Sequence, residues 1–252
     1  MAAPVNVSET TPTTCTASYS YAGDVNHLGS DGSATISITK ASSTTMIISD
    51  GPDPSLVGGA YTVTFSVSVT APGAGTPAGT VNVSDGSGGT CTATLPSSSC
   101  SVTSSTVGAK NLTASYSGGA NFIGSVSATA PHNVQYNFVG FLQPIDNLPI
   151  LNSAKGGQTI PVKWQLQDAA GGSVSSLATF TSLQAAPVGC LAAPVSIIDD
   201  YVTATGGTVL RYDTGSNQFI YNWQTAKSIS GCWQLRLTLS DGTYHDAFFQ
   251  FR

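Results

Sequence analysis

Charge is what this sequence has least of. Asp, Glu, Lys and Arg together make up 8% of its 252 residues, against about a quarter in an ordinary soluble domain. Glutamate occurs once, at Glu9. Glycosidase chemistry by a carboxyl pair would therefore fall to aspartates alone. Most of these sit in turn contexts such as Asp85-Gly86 and Asp241-Gly242, where Asp serves as a turn former. No Gly-x-Ser-x-Gly elbow and no His-Glu-x-x-His run occurs, so two common hydrolase signatures are missing. The formal charge of -5 comes without a Lys/Arg cluster, which argues against nucleic acid or an anionic membrane as partner. No apolar run approaches the ~18–20 residues of a membrane span. The scarcity of charge is not a signature of disorder either, because 40% of the residues are hydrophobic. No catalytic residue, cofactor or metal site is expected, and no membrane insertion.

Ser, Thr, Gly, Ala and Val fill the space that charged residues leave. Thr, Val and aromatic residues on alternating positions favour strands over helices. In Tyr61-Thr-Val-Thr-Phe-Ser-Val-Ser-Val69 the odd positions are apolar and the even ones are Thr or Ser. That is a strand with one face in a core and one in water. Shorter strands are predicted at 80–83, 90–95, 100–103, 111–116 and 125–128, with Gly and Ser turns between them.

Five cysteines are present, at Cys15, Cys91, Cys100, Cys190 and Cys232, without Cys-x-x-Cys spacing. Zinc is therefore not expected. Four of them read as two disulfides, Cys91–Cys100 and Cys190–Cys232, and so as a sign of an oxidising compartment. The first would staple a local hairpin around Pro96. The second closes a longer loop, contributing ~4 kcal/mol against ~2.5–3 kcal/mol in the chain-entropy picture. The start, Met1-Ala-Ala-Pro4, has neither a basic nor an apolar leader segment, and reads as the start of either a mature or an artificially cut fragment.

The chain repeats itself. Tyr21-Ala-Gly-Asp-Val-Asn-His-Leu-Gly-Ser30 aligns without gaps on Tyr116-Ser-Gly-Gly-Ala-Asn-Phe-Ile-Gly-Ser125, with Tyr, Gly, Asn, Gly and Ser kept. The offset, 116 − 21 = 95 residues, is the size of one immunoglobulin-like sandwich. The order Gly79-Thr-Val-Asn-Val-Ser-Asp-Gly86, then Thr90-Cys-Thr-Ala-Thr-Leu-Pro96, then Ala109 to Ser125 resembles the bacterial Ig-like repeat family. Beyond Gln135 the repeat is lost and Pro, Trp and longer aromatic strands appear. Asn147 to Leu166, with Pro161-Val-Lys-Trp164 at its heart, is similar to the PxKF-type domain that ends some repeat proteins, Trp164 standing for the usual Phe. The resemblances imply tandem all-β sandwiches outside the cell and no catalytic role. The expected division is 1–41, the closing part of one repeat; 42–134, a complete repeat; and 135–252, the PxKF-type domain.

Four features invite a sharper reading. Phe219, Tyr221 and Trp223 share one face of a strand. Exposed, they would make a sugar-stacking platform, the basis of an alternative carbohydrate-binding function; buried, they would face Trp164 and Trp233 in a core. Lys163 and Asn222 could in principle condense to an isopeptide, but Ile160, Val162, Trp164 and Leu166 claim the core face, which turns Lys163 away from it. The Asp24/Asn26/Asp31 and Asp199/Asp200 loops could hold calcium, although capped turns explain them with less, since the second copy puts Gly119 in place of Asp24. The last hairpin has two possible registers. A three-residue Ser240-Asp241-Gly242 loop sets Leu237 opposite His245, Leu235 opposite Ala247 and Arg236 opposite Asp246. That places an ion pair on the outer face worth about 0.2–1 kcal/mol.

The sum is a non-catalytic stalk or adhesive module of a secreted or cell-surface bacterial protein, with a protein or glycan as partner. The N-terminal stub, 1–41, holds only closing strands, around Cys15–Tyr21 and Ala34–Thr39. It is expected to pack poorly or to be completed by strands from another chain, which would give self-association.

Overall fold

The computed structural model describes residues 13–190, 202–203 and 210–252. Strand is the dominant regular structure of the described residues, and the one helical element among them is a single 3-10 turn at Leu177–Thr179. In chain order the first ten are β1 (Thr13–Tyr21), β2 (Ser30–Ile38), β3 (Ser43–Gly51), β4 (Ser55–Leu56), β5 (Ala60–Val69), β6 (Thr80–Ser84), β7 (Thr90–Thr94), β8 (Ser99–Thr103), β9 (Gly108–Tyr116) and β10 (Ser125–Val126). Then come β11 (Ala130–Gln135), β12 (Asn137–Leu142), β13 (Leu151–Ala154), β14 (Thr159–Gln167), β15 (Phe180–Val188), β16 (Val202–Thr203), β17 (Arg211–Asp213), β18 (Gln218–Gln224), β19 (Gly231–Leu239) and β20 (Tyr244–Phe251). Among the described residues no helix is long and apolar enough to cross a membrane.

Backbone contacts divide the chain into two units. One gathers the described residues up to Gly51 with Thr62–Val102 and Asn111–Ala130; the other gathers Pro52–Tyr61, Thr103–Lys110 and Pro131–Arg252.

In the first unit, β3 pairs with β5, and β5 lies in one three-stranded sheet with β8. A second ladder runs β7-β6-β9, with β10 on the far part of β9. The alternation read from Tyr61–Val69 places Val63 and Phe65 inside, and Val81, Val83, Val102, Leu112, Ala114 and Tyr116 are buried with them. Ser125 ties β10 to β3 through its hydroxyl, 2.7 Å from Thr45 Oγ1 and 2.8 Å from Ser43 Oγ.

The repeated motif has a local cause. Gly23 and Gly118, 95 residues apart, both have positive φ, +85° and +83°. A Cβ there would come within 2.8 Å of His27 O and 2.9 Å of Phe122 O respectively. Both turns are closed by the same reciprocal backbone bonds, Asp24 with His27 and Gly119 with Phe122. Only glycine fits such a turn without strain.

The β1–β2 hairpin forms a sheet of its own, with nine residues paired from Thr13↔Ile38 to Tyr21↔Ser30. Its side chains are exposed on both faces from Thr14 to Tyr21. This hairpin lies within the N-terminal stub, 1–41.

In the second unit, β11 runs parallel to β4 (Val134↔Ser55) and also borders β9, whose opening residues Gly108–Lys110 belong here. The remaining strands make two sheets, β12-β14-β18-β17 and β13-β20-β19-β15-β16. Between them lies one core of Phe141, Ile160, Val162, Trp164, Leu166, Leu183, Phe219, Trp223, Leu235, Leu237, Leu239, Phe249 and Phe251, among others. Alternate residues of β14 and β18 point into it, as the pleat requires.

Candidate functional site

The aromatic row of β18 is core. Phe219 and Trp223 are buried, and Tyr221 packs half-buried against the same cluster. Phe219 stacks on Trp164 at 5.3 Å and Tyr221 on Phe180 at 5.7 Å, while Trp223 meets Phe249 and Phe251 edge-on. A sugar needs a wet aromatic face to stack on, so this row is no platform. Lys163 lies on the opposite face of β14 from Trp164 and is half-exposed, paired across the ladder with Ile220. Outside a core it lacks the desolvated surroundings that an isopeptide-forming lysine needs.

Both disulfides are formed, Cys91–Cys100 with S–S 1.97 Å and Cys190–Cys232 with S–S 2.01 Å. Cys15 is a free, exposed thiol. The first bond departs from the expected hairpin staple. β7 pairs with β6, whereas β8 belongs to the sheet of β3 and β5, so Cys91–Cys100 links two sheets. The Pro96-Ser-Ser-Ser99 turn carries the chain across, with Ser98 O accepting from Phe65 N of β5. Each sheet then buries its own apolar face, through Ala93 on one side and Val102 on the other.

Asp24 caps its turn. Its carboxylate accepts from Asn26 N at 2.8 Å, stands 2.9 Å from His27 Nδ1, and accepts from Tyr21 Oη at 2.8 Å. These contacts, the Asn26 N–H first, hold the carboxyl below its ordinary range. The same turn stands without any carboxylate at Gly119, so the capping reading accounts for the site. Asp31 is paired in the β1–β2 ladder opposite Ser20. The Asp199/Asp200 loop lies outside the described residues.

The structure also assembles a group that no motif announced. Ser55 Oγ and His132 Nε2 are 2.9 Å apart, and Asp53 Oδ1 is 3.6 Å from His132 Nδ1. The three residue types are those of a hydrolase triad, and the geometry is not. The Asp–His distance exceeds a hydrogen bond, and Asp53 Oδ1 accepts from Asn133 N at 2.8 Å instead. Ser55 and His132 are sealed, at 2% and 0% exposure, whereas a nucleophile must reach its substrate. The imidazole stacks on Tyr61 at 3.8 Å, and Tyr61 Oη is 3.2 Å from Ser104 Oγ. This is a satisfied polar knot that seats β4 against β11. Ser55 and His132 are 77 residues apart, and nothing local in either segment announces the pairing.

At the far end of the second unit, the last hairpin adopts the three-residue loop. Leu237 faces His245, Leu235 faces Ala247 and Arg236 faces Asp246. Gly242 has φ +86°, and Asp241 Oδ1 accepts from Thr243 N and Oγ1. The ion pair is bidentate at 2.8 and 2.7 Å. It is not the exposed pair expected: only 10% and 7% of the two side chains is accessible.

Comparison with known proteins gives one family match: residues 49–135 are similar to the bacterial Ig-like domain (group 3). No curated protein matches the chain significantly. Several solved structures are similar to the chain at low identity and low TM-score. The adhesin InvE of Yersinia pseudotuberculosis is 13% identical, with a TM-score of 0.34, over 82% of this chain and 58% of that one. Invasin, a bacterial integrin-binding protein, is 15% identical, with a TM-score of 0.33, over 83% of this chain and 39% of that one. The fibronectin(III)-like modules of Clostridium thermocellum CbhA are 13% identical, with a TM-score of 0.27, over 82% and 92%. The chain thus spans less than two thirds of the length of invasin and of InvE.

Proposed function

We propose that this chain is a non-catalytic structural module of a secreted or cell-surface bacterial protein, a cross-linked spacer whose outer surface is free to adhere. The observation that carries it is where the chemistry-bearing residues go. Phe219, Tyr221 and Trp223 are spent on a core, Ser55 and His132 on a sealed knot, and four cysteines on two bonds. Disulfides persist in oxidising compartments outside the cytoplasm, and residues 49–135 are similar to the bacterial Ig-like domain (group 3). With this proposal goes the division into a repeat remnant (1–41), a complete repeat (42–134) and a PxKF-type domain (135–252). A protein or glycan at a cell surface is the partner that such a module would meet.

The test takes the protein from outside its producing cells. Peptide mapping without reductant should return both cross-links, and a fluorophosphonate probe should leave Ser55 unlabelled. Free thiols at the four positions would sink the extracellular assignment. Stoichiometric labelling of Ser55 would overturn the non-catalytic one.

A further inference from the structure

We propose that the outer face of the β12-β14-β18-β17 sheet binds an acidic polysaccharide, with Lys163 and Arg211 taking carboxylates on successive parts of the glycan. The inference deepens the reading above, on which it rests for its extracellular setting, by giving the glycan partner a chemical class and a place.

The register assembles the pair. Lys163 of β14 and Arg211 of β17 both lie directly opposite Ile220 of β18, one from each side. Residues directly opposite in a ladder share a face, and this is the face away from Phe219, Tyr221 and Trp223. Two strand spacings separate the two basic residues, roughly 9–10 Å along the row. In the sequence they stand 211 − 163 = 48 residues apart, so no Lys/Arg cluster marks them. Between them Ile220 is 7% exposed, as an apolar side chain flanked by two long aliphatic stems should be.

The pair is available. The chain has eight Lys and Arg residues in all. Lys40 donates to Gly119 O, Lys110 to Thr106 Oγ1 and Val107 O, and Arg236 to Asp246. Among the described residues neither Lys163 nor Arg211 takes part in an ion pair. Lys163 is half-exposed and Arg211 exposed. Asp213, two positions along β17 from Arg211, shares its face. Its carboxylate is engaged in its own turn, accepting from Ser216 Oγ at 2.5 Å and from Gly215 N at 3.0 Å. Those bonds, Ser216 first, hold it below its ordinary range.

What surrounds the pair selects the ligand class. Gln218 and Asn222 flank Ile220 on the same face, two positions to either side. Side-chain amides donate and accept hydrogen bonds, which suits sugar hydroxyls. A protein partner needs aromatic or aliphatic anchors at the centre of its contact, and here the central apolar residue is flush with its neighbours. A guanidinium binds a carboxylate through two parallel N–H donors. A polysaccharide with a uronate at every second sugar presents carboxylates in a row, as the register presents Lys163 and Arg211. The chain is acidic overall, with a formal charge of -5, so an anion gains little away from this row. At 0.1 M salt the attraction reaches about 10 Å.

The experiment titrates the isotope-labelled full chain, at low salt, with a hexasaccharide of alternating glucuronate and N-acetylglucosamine. Saturable amide shifts confined to 161–165, 211–213 and 218–222 are expected, fading as salt is raised. Lys163→Gln and Arg211→Gln should each weaken binding about tenfold, the loss of one charged hydrogen bond, with the rest of the amide spectrum unchanged. Lys155→Gln removes an equal charge from an exposed position outside these strands and should leave binding as it was. Four outcomes overturn the proposal. One is no saturable shift at millimolar sugar in the intact protein. Another is equal shifts with the uncharged N-acetylglucosamine hexamer. A third is equal or tighter binding of hexaglutamate, which points to an acidic protein segment instead. The last is a loss with Lys155→Gln that matches the other two variants. None of these bears on the cross-links or on Ser55, so the structural reading is tested separately.

Discussion

His245 is turned inward by the pleat of β20, opposite Leu237. Its ring stacks on Phe138 at 3.6 Å, and its Nε2 lies 3.4 Å from Thr243 Oγ1. Burial holds the imidazole below its ordinary value of 6.5, with Asp241 and Asp246 opposing that shift. Arg236, across the ladder, donates to Asp246 through Nε and Nη2, so that carboxylate is shared between the guanidinium and the imidazole. A histidine whose folded value is depressed binds fewer protons folded than unfolded just below 6.5, so stability falls as the pH falls through that window. Above 6.5 the contribution is fully present; below the folded value the loss is complete. Between pH 7.5 and 5.5 the melting temperature should therefore drop, and His245→Gln should drop less. Thermal melts of the two proteins on one pH series check this, and parallel curves would exclude His245 as the source.

The β19–β20 hairpin shows what a single element can and cannot encode. Alternation along Trp233–Leu239 and His245–Phe251, with Asp241-Gly242 at the turn, is enough to select one register, and the observed pairing is that register. The same alternation labels Gln234 and Arg236 as outward. They are 0% and 8% exposed, because whether an outward face meets water depends on segments distant in sequence. The consequence is energetic. An exposed pair would contribute about 0.2–1 kcal/mol; a buried bidentate pair behaves differently when broken. Asp246→Ala would leave a buried guanidinium over the Tyr244 ring, 3.9 Å away, at a cost of about 3–5 kcal/mol. Replacing both partners, with Arg236→Met and Asp246→Leu, should restore most of that loss. Urea denaturation of the single and double variants decides between the two accounts, and a single-variant cost under about 1 kcal/mol would return the pair to the exposed class.

Across the whole molecule, each disulfide lies within one unit and shields a length of chain from tension. Cys91–Cys100 encloses a separation of nine residues and Cys190–Cys232 one of 42. At roughly 3.3–3.6 Å of extended chain per residue, reduction should release about 30 Å and about 140–150 Å respectively. Single-molecule pulling of the full chain with and without reductant reads these increments. Equal contour lengths in the two conditions would mean that the bonds do not bear on extension, and the spacer reading would lose its main mechanical support. The cross-sheet placement of Cys91–Cys100 adds a second expectation: its loss should loosen β7 against β8 by about 2.5–3 kcal/mol.

Much of this was present in the sequence, for a definite reason. A strand's period of two, a turn that only Gly tolerates and a gap-free repeat are properties of neighbouring residues, so they can be read before anything folds. They determined the all-β class, most strand positions, the Tyr21/Tyr116 repeat, the two cysteine pairs and the register of Leu237 against His245. The tertiary structure decided the matters that depend on what returns from far along the chain. It made the Phe219/Tyr221/Trp223 row a core face, sent β7 and β8 to different sheets, buried Arg236 with Asp246, and brought Ser55 to His132 across 77 residues. A side chain's direction is set by its own strand. Its environment is set by whichever strand packs over it, and no local pattern encodes that.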